Sequence, residues 1–251
     1  YSLDGGATWS LYSTQITAGS VDVLVAVDIT NEIDSFFEGE EQLKLEVTSG
    51  SQTAFGYSSI MDDGTGIVTQ TITAATTNVT GTNDPTVIKD DDRTITVSGL
   101  DDVSEGSNAI FTVTLPDGNT RATEISLALS NGSGANDAEA NDYSSTFTAY
   151  YFVGDTKTNL TITDGMVTLP SGVTSFFVSV PTTQDTDFEG AELFSLTATS
   201  TGGKNASDTS TILDDGSGRI YDDKGLNPAG PGNDDRGITV SGLDDVSEGS
   251  N

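Results

Sequence analysis

Arg93-Thr94-Ile95-Thr96-Val97-Ser98-Gly99-Leu100-Asp101-Asp102-Val103-Ser104-Glu105-Gly106-Ser107-Asn108 is the stretch whose reading decides the fold. It returns as Arg236-Gly237-Ile238-Thr239-Val240-Ser241-Gly242-Leu243-Asp244-Asp245-Val246-Ser247-Glu248-Gly249-Ser250-Asn251, with Thr94 replaced by Gly237 as the single difference. The spacing is 143 residues (236 − 93), which is the size of a domain rather than of a solenoid repeat. One whole unit therefore lies between the two copies.

The unit reads as short strands with turns between them. Apolar and polar residues alternate over 94–99, 109–115, 123–129, 145–153, 159–163, 166–169, 173–180, 192–199 and 206–213, the period of a half-buried strand. Pro116-Asp117-Gly118-Asn119 and Gly202-Gly203-Lys204-Asn205 supply turn chemistry. No segment has the period of an amphipathic helix. Such spacing predicts a two-sheet antiparallel β-sandwich, with Ile95, Val97, Phe111, Val113, Ile125, Leu127, Leu129, Phe177, Leu196 and Ile212 inside.

The flanks repeat parts of that unit. Phe37-Glu38-Gly39-Glu40-Glu41 matches Phe188-Glu189-Gly190-Ala191-Glu192, and Ile60-Met61-Asp62-Asp63-Gly64 matches Ile212-Leu213-Asp214-Asp215-Gly216. The expected layout is the closing part of one sandwich over 1–72, a linker over 73–92, a complete sandwich over 93–218, a linker over 219–235 and an opening strand over 236–251. Each linker ends in acids, Asp90-Asp91-Asp92 and Asn233-Asp234-Asp235. This layout reads as an excerpt of a longer tandem array, ahead of the alternative of a filament in which neighbouring chains complete each other's sandwiches.

Acidic residues number 39 against 9 basic, for a formal charge of −30. That balance argues against nucleic acid and anionic membrane as partners and calls for a cationic counterweight. There is no cysteine or histidine, so disulfides, thiolate metal sites and most nucleophile–base pairs are unavailable. No apolar run reaches the ~18 residues that span a membrane.

With strands alternating up and down, the loops after 94–99, 123–129, 173–180 and 206–213 share one end of the sandwich. They carry Glu105, Asp142, Asp185, Asp187, Glu189, Glu192, Asp214 and Asp215. So many carboxylates repel one another when bare, and they suit a hard cation with six to eight oxygen ligands, which is calcium.

These acids, with Glu105-Gly106, Ala138-Glu139-Ala140-Asn141-Asp142-Tyr143, Asp185-Thr186-Asp187-Phe188-Glu189-Gly190-Ala191-Glu192 and Thr211-Ile212-Leu213-Asp214-Asp215, resemble the Calx-beta signature. That family is an immunoglobulin-like sandwich found in sodium–calcium exchangers, integrin β4 and bacterial surface proteins. The resemblance implies side-chain calcium ligands at Glu105, Asp142, Asp185, Glu189, Glu192, Asp214 and Asp215, with a backbone carbonyl from Asp187. In the first copy it implies Asp34, Phe36, Glu38, Glu41, Asp62 and Asp63. Gly216 stands where exchanger members carry a third acid, and 144–165 is longer than in the family. The tandem units with this tail are similar to the repeats of giant RTX-type bacterial adhesins. The expectation is a calcium-stabilised, non-catalytic extender at the cell surface, outside the cell. Its partners are neighbouring repeats, with surface glycans or proteins reached through other domains. The alternative is a glycan- or protein-binding module that uses exposed aromatics of the inserted hairpin over 145–163. An enzyme fits less well, because short-looped sandwiches seldom form a lined cleft.

Overall fold

The structure, a computed structural model, describes residues 25–27, 29, 36–66, 91–100, 102–131, 137–226, 229 and 232–241. Asp34 and most of the 73–92 linker lie outside these residues, as do residues 1–24 of the first expected sandwich. The fold is all-β. Its strands are β1 (Glu41–Ser49), β2 (Gln52–Ile60), β3 (Thr96–Ser98), β4 (Asp102–Ser104), β5 (Asn108–Thr114), β6 (Thr123–Asn131), β7 (Thr148–Val153), β8 (Thr156–Leu160), β9 (Ile162–Thr163), β10 (Met166–Leu169), β11 (Ser175–Pro181), β12 (Ala191–Ser200) and β13 (Asn205–Leu213).

Strands β3 to β13 form two sheets, ordered β4-β13-β12-β6-β10-β9 and β3-β5-β11-β7-β8. Their inner faces share one core. Ile125 and Leu127 of β6 and Phe194 and Leu196 of β12 meet Phe111 and Val113 of β5 and Phe176 and Val178 of β11. Phe111 meets Phe194 edge-on across the gap at 5.7 Å between ring centres, and Tyr143 stacks on the same Phe194 at 4.5 Å. Seven of the ten residues expected inside are buried there: Ile95, Phe111, Val113, Ile125, Leu127, Leu196 and Ile212. Val97 and Leu129 pack at the margin of the core.

Phe177 is a correction. Side chains alternate along β11, and it is Phe176 that enters the core. Phe177 faces the other way and stacks on Tyr150 at 5.8 Å. That outer face is itself covered. Tyr150 is fully buried, its hydroxyl donates to the carbonyl of Asp223 at 2.8 Å, and Lys157 lies over its ring. The stretch 219–226, expected to be a bare linker, is thus a strap laid on the sandwich. Ser104 N donates to Arg219 O at 2.9 Å, and Ile220 and Ala229 exchange backbone hydrogen bonds.

The edge strand β4 has no counterpart among the expected strands. The chain leaves the β3-β5-β11-β7-β8 sheet after β3, crosses at Gly99 and runs parallel to β13 in the other sheet. A Cβ at Gly99 would lie 2.3 Å from the carbonyl oxygen of Thr209, so the crossing demands a residue without a side chain. Asp102 opens β4 and is only partly exposed, and Val103 beside it is fully buried. Arg236–Ser241 lie in no strand, with Ile238 and Val240 more than nine-tenths exposed.

Strands β1 and β2 form a hairpin whose register puts Glu41 opposite Ile60. The corresponding pair in the complete unit, Glu192 and Ile212, also face each other. The two copies therefore share local geometry as well as sequence.

Candidate metal centre

The acids gather where the strand parity puts them. Glu105, Asp142, Asp185, Glu189, Glu192 and Asp214 line one small cleft, together with Thr183, Gly190 and Ile212. Its free volume is about 10 Å3, close to the space one water-sized sphere occupies. A monatomic ion fits such a space and an organic substrate does not.

Four segments place these acids: the turn after β4, the β6–β7 connection, the β11–β12 segment and the end of β13. Glu105 follows β4, where its N–H donates to Leu213 O at 3.0 Å. Its Oε1 accepts from Asp185 N at 2.5 Å and its Oε2 from Asn233 Nδ2 at 3.1 Å. Asp142 is buried; its carbonyl accepts from Thr183 N at 2.7 Å and its Oδ2 from Glu139 N. Glu189 and Glu192 flank Gly190, which has φ of 94° and so turns the chain sharply into β12. Oxygens of Asp142, Glu189 and Glu192 all lie within 4.8 Å of one another. This group could hold a metal ion.

The electrostatics show what bare carboxylates cost there. Burial, and then the facing Asp142, push the Glu192 carboxyl up to about 8. Burial and the charges of Asp142, Asp185, Glu139 and Glu105 raise Glu189. Glu105 is also raised by burial, against hydrogen bonds from Asp185 and Asn233 that lower it. Asp214 adds a second sign. It is buried, its Oδ2 accepts from Glu189 N at 2.7 Å, and its Oδ1 has no hydrogen-bond partner. A buried carboxylate oxygen left without a partner is costly, and a cation in the cleft would satisfy it.

Two of the expected ligands sit differently. Asp187 lies beside the cleft, its N–H donating to Asp185 Oδ1 at 2.8 Å. Asp215 turns back on its own loop: the Ser217 hydroxyl and Ser217 N, the latter at 2.9 Å, donate to its Oδ1 and lower its pKa, while its backbone bridges Asp234. Asn233, which the sequence did not single out, completes the hydrogen bonding of Glu105; its signal was only its place before the two linker acids.

In the first copy Asp62 repeats Asp214, with Oδ2 accepting from Glu38 N at 2.7 Å and Oδ1 buried without a partner. Asp63 repeats Asp215, accepting from Thr65 N at 3.0 Å. Phe36, Glu38 and Glu41 are exposed.

The inserted hairpin β7–β8 keeps Tyr150 inside and Phe152 partly covered, against Lys224. Tyr151 remains partly exposed and lines an open groove of about 540 Å3 with Asn159, Asp164 and Met166. No family model and no curated protein matches the chain.

Proposed function

We propose that the chain is a calcium-stabilised, non-catalytic extender, part of a tandem array of immunoglobulin-like, Calx-beta-like sandwiches in a bacterial surface adhesin. The observation that carries the reading is the buried, unpartnered Oδ1 of Asp214 in a cleft whose other charged groups are all carboxylates. An all-oxygen donor set of irregular geometry suits calcium over zinc or copper, and magnesium demands a more regular octahedron. Glu105, Asp142, Asp185, Glu189, Glu192 and Asp214 are the residues that would hold the ion, and Asp62 with Glu38 begins the matching site in the first copy. The ion would supply positive charge to loops that join both sheets, so its binding and the folding of that end are one equilibrium. The whole-unit repeat supports an extender, and a location outside the cell rests on the resemblance to adhesin repeats.

Thermal unfolding in calcium and in chelator tests this. A ligand that binds only the folded state at a hundredfold excess over its Kd adds about 2.7 kcal/mol. Calcium should raise the midpoint of the natural chain, magnesium should do so less, and Asp214→Asn should lose most of the calcium response. A midpoint indifferent to calcium would refute the reading.

A further inference from the structure

Arg93 opens the complete unit and is 1% exposed, the largest fully buried side chain among the described residues. Its guanidinium has five N–H donors, and five acceptors surround it. Nε donates to Asp91 Oδ1 at 2.9 Å, and Nη2 to Asp91 Oδ2 at 3.0 Å. The other Nη2 hydrogen reaches the carbonyl of Asp63 at 2.6 Å. Nη1 donates to Asn119 Oδ1 at 3.2 Å and Thr123 Oγ1 at 3.1 Å. These acceptors come from three places: the acid turn after β2, the end of the linker, and the turn that leads into β6.

The surrounding packing is equally close. A Cβ on Gly64 would lie 3.2 Å from Asp91 Cβ and from Thr201 Cβ, and one on Gly202 would lie 2.5 Å from Asp91 N. Asp63 and Asp91 pair as a β-bridge, Asp92 N donates to Asp62 O at 3.1 Å, and Lys204 pairs with Asp92 at 2.9 Å.

Half of this arrangement recurs at the other end of the sandwich. Asp215 and Asp234 form the same bridge, Asp235 N donates to Asp214 O at 2.9 Å, and a Cβ on Gly216 would lie 3.2 Å from Asp234 Cβ. Arg236 makes the same fork to Asp234, with both contacts at 2.8 Å. Its side chain is 53% exposed, and the described residues include no second copy of the Asn119–Thr123 turn on its other side.

We infer that each repeat ends in a docking surface for the next, an Asp-Gly turn paired with the linker's Asp-x-Arg, and that the arginine locks the joint by inserting into the end of the following sandwich. The partner is a further copy of this sandwich, offering counterparts of Asn119, Thr123 and Gly202. The two linker acids at the joint are each paired with a cation, Asp91 with Arg93 and Asp92 with Lys204, so these contacts hold without calcium. The inference rests on the tandem-repeat reading and is independent of the metal.

Since the chain lacks cysteine, Ser51→Cys and Thr156→Cys place one spin label on the β1–β2 turn and one at the start of β8 for pulsed distance measurement. The full chain should give one narrow distance peak, kept in chelator. Arg93→Lys, with three donors instead of a planar fork, should lose that peak while circular dichroism retains the β signal. Should Arg93→Lys fail to fold, Gly64→Val pries the acid turn from Asp91 without touching the sandwich interior, and it should broaden the peak likewise. A peak left narrow by either folded variant overturns the lock, as does a peak lost in chelator alone. Absence of any calcium effect on melting would instead sink the metal reading and leave the lock standing.

Discussion

Replacing Glu192 by glutamine removes one charge from the crowded cleft at nearly constant shape. In the folded chain without calcium, burial and Asp142 hold the Glu192 proton up to about 8, against an ordinary 4.5. Each tenfold change in proton affinity is about 1.4 kcal/mol, so the unscreened penalty on the ionised form approaches about 5 kcal/mol. Solvent screening at this partly exposed carboxylate reduces it to about 2 kcal/mol. The folded state binds the proton more tightly than the unfolded one, so stability without calcium should fall as pH rises from about 5 through about 8. Glu192→Gln should remove most of that fall and raise the pH 8 midpoint in chelator by on the order of 8 °C. In saturating calcium the order should reverse, since the variant has lost a ligand. Differential scanning calorimetry of both proteins at pH 5 and pH 8, with chelator and with calcium, reads all four corners. If the natural chain in chelator is as stable at pH 8 as at pH 5, the acids are not repelling one another and the argument fails.

Three further outcomes are expected. Phe194→Ala empties the contact between Phe111 and Tyr143 and should cost about 3–5 kcal/mol in urea unfolding. Asp91→Asn leaves the buried Arg93 without its charge partner and should cost about 3–5 kcal/mol by the same measurement. Tyr150→Phe deletes the hydrogen bond to Asp223 and should cost about 1 kcal/mol, with faster amide exchange in 221–226 as the local readout.

The sequence by itself determined the all-β class, nearly every strand of the complete unit and the end of the sandwich at which the acids meet. Those follow from period-two alternation and strand parity, which are local rules. It also placed Asp62 and Asp214 as equivalents, and their hydrogen bonds to Glu38 and Glu189 are equivalent in turn. Only the tertiary structure decided the rest. Which of Phe176 and Phe177 faces the core depends on a one-residue register that a run of apolar residues leaves open. Strand β4 is three residues long, and its partner β13 lies a hundred residues away, so no window of sequence contains the pair. The apolar face around Tyr150 is buried by a Gly- and Asp-rich strap that composition marks as loose. Asp214 and Asp215 are identical neighbours with opposite fates: one side chain turns into the cleft and the other bonds to Ser217, while its backbone pairs with Asp234. Arg93 reads as an ordinary basic residue at the head of a strand. Its burial exists only because Asp63, Asp91, Asn119 and Thr123, scattered over sixty residues (123 − 63), converge on five N–H groups that must all be satisfied out of water.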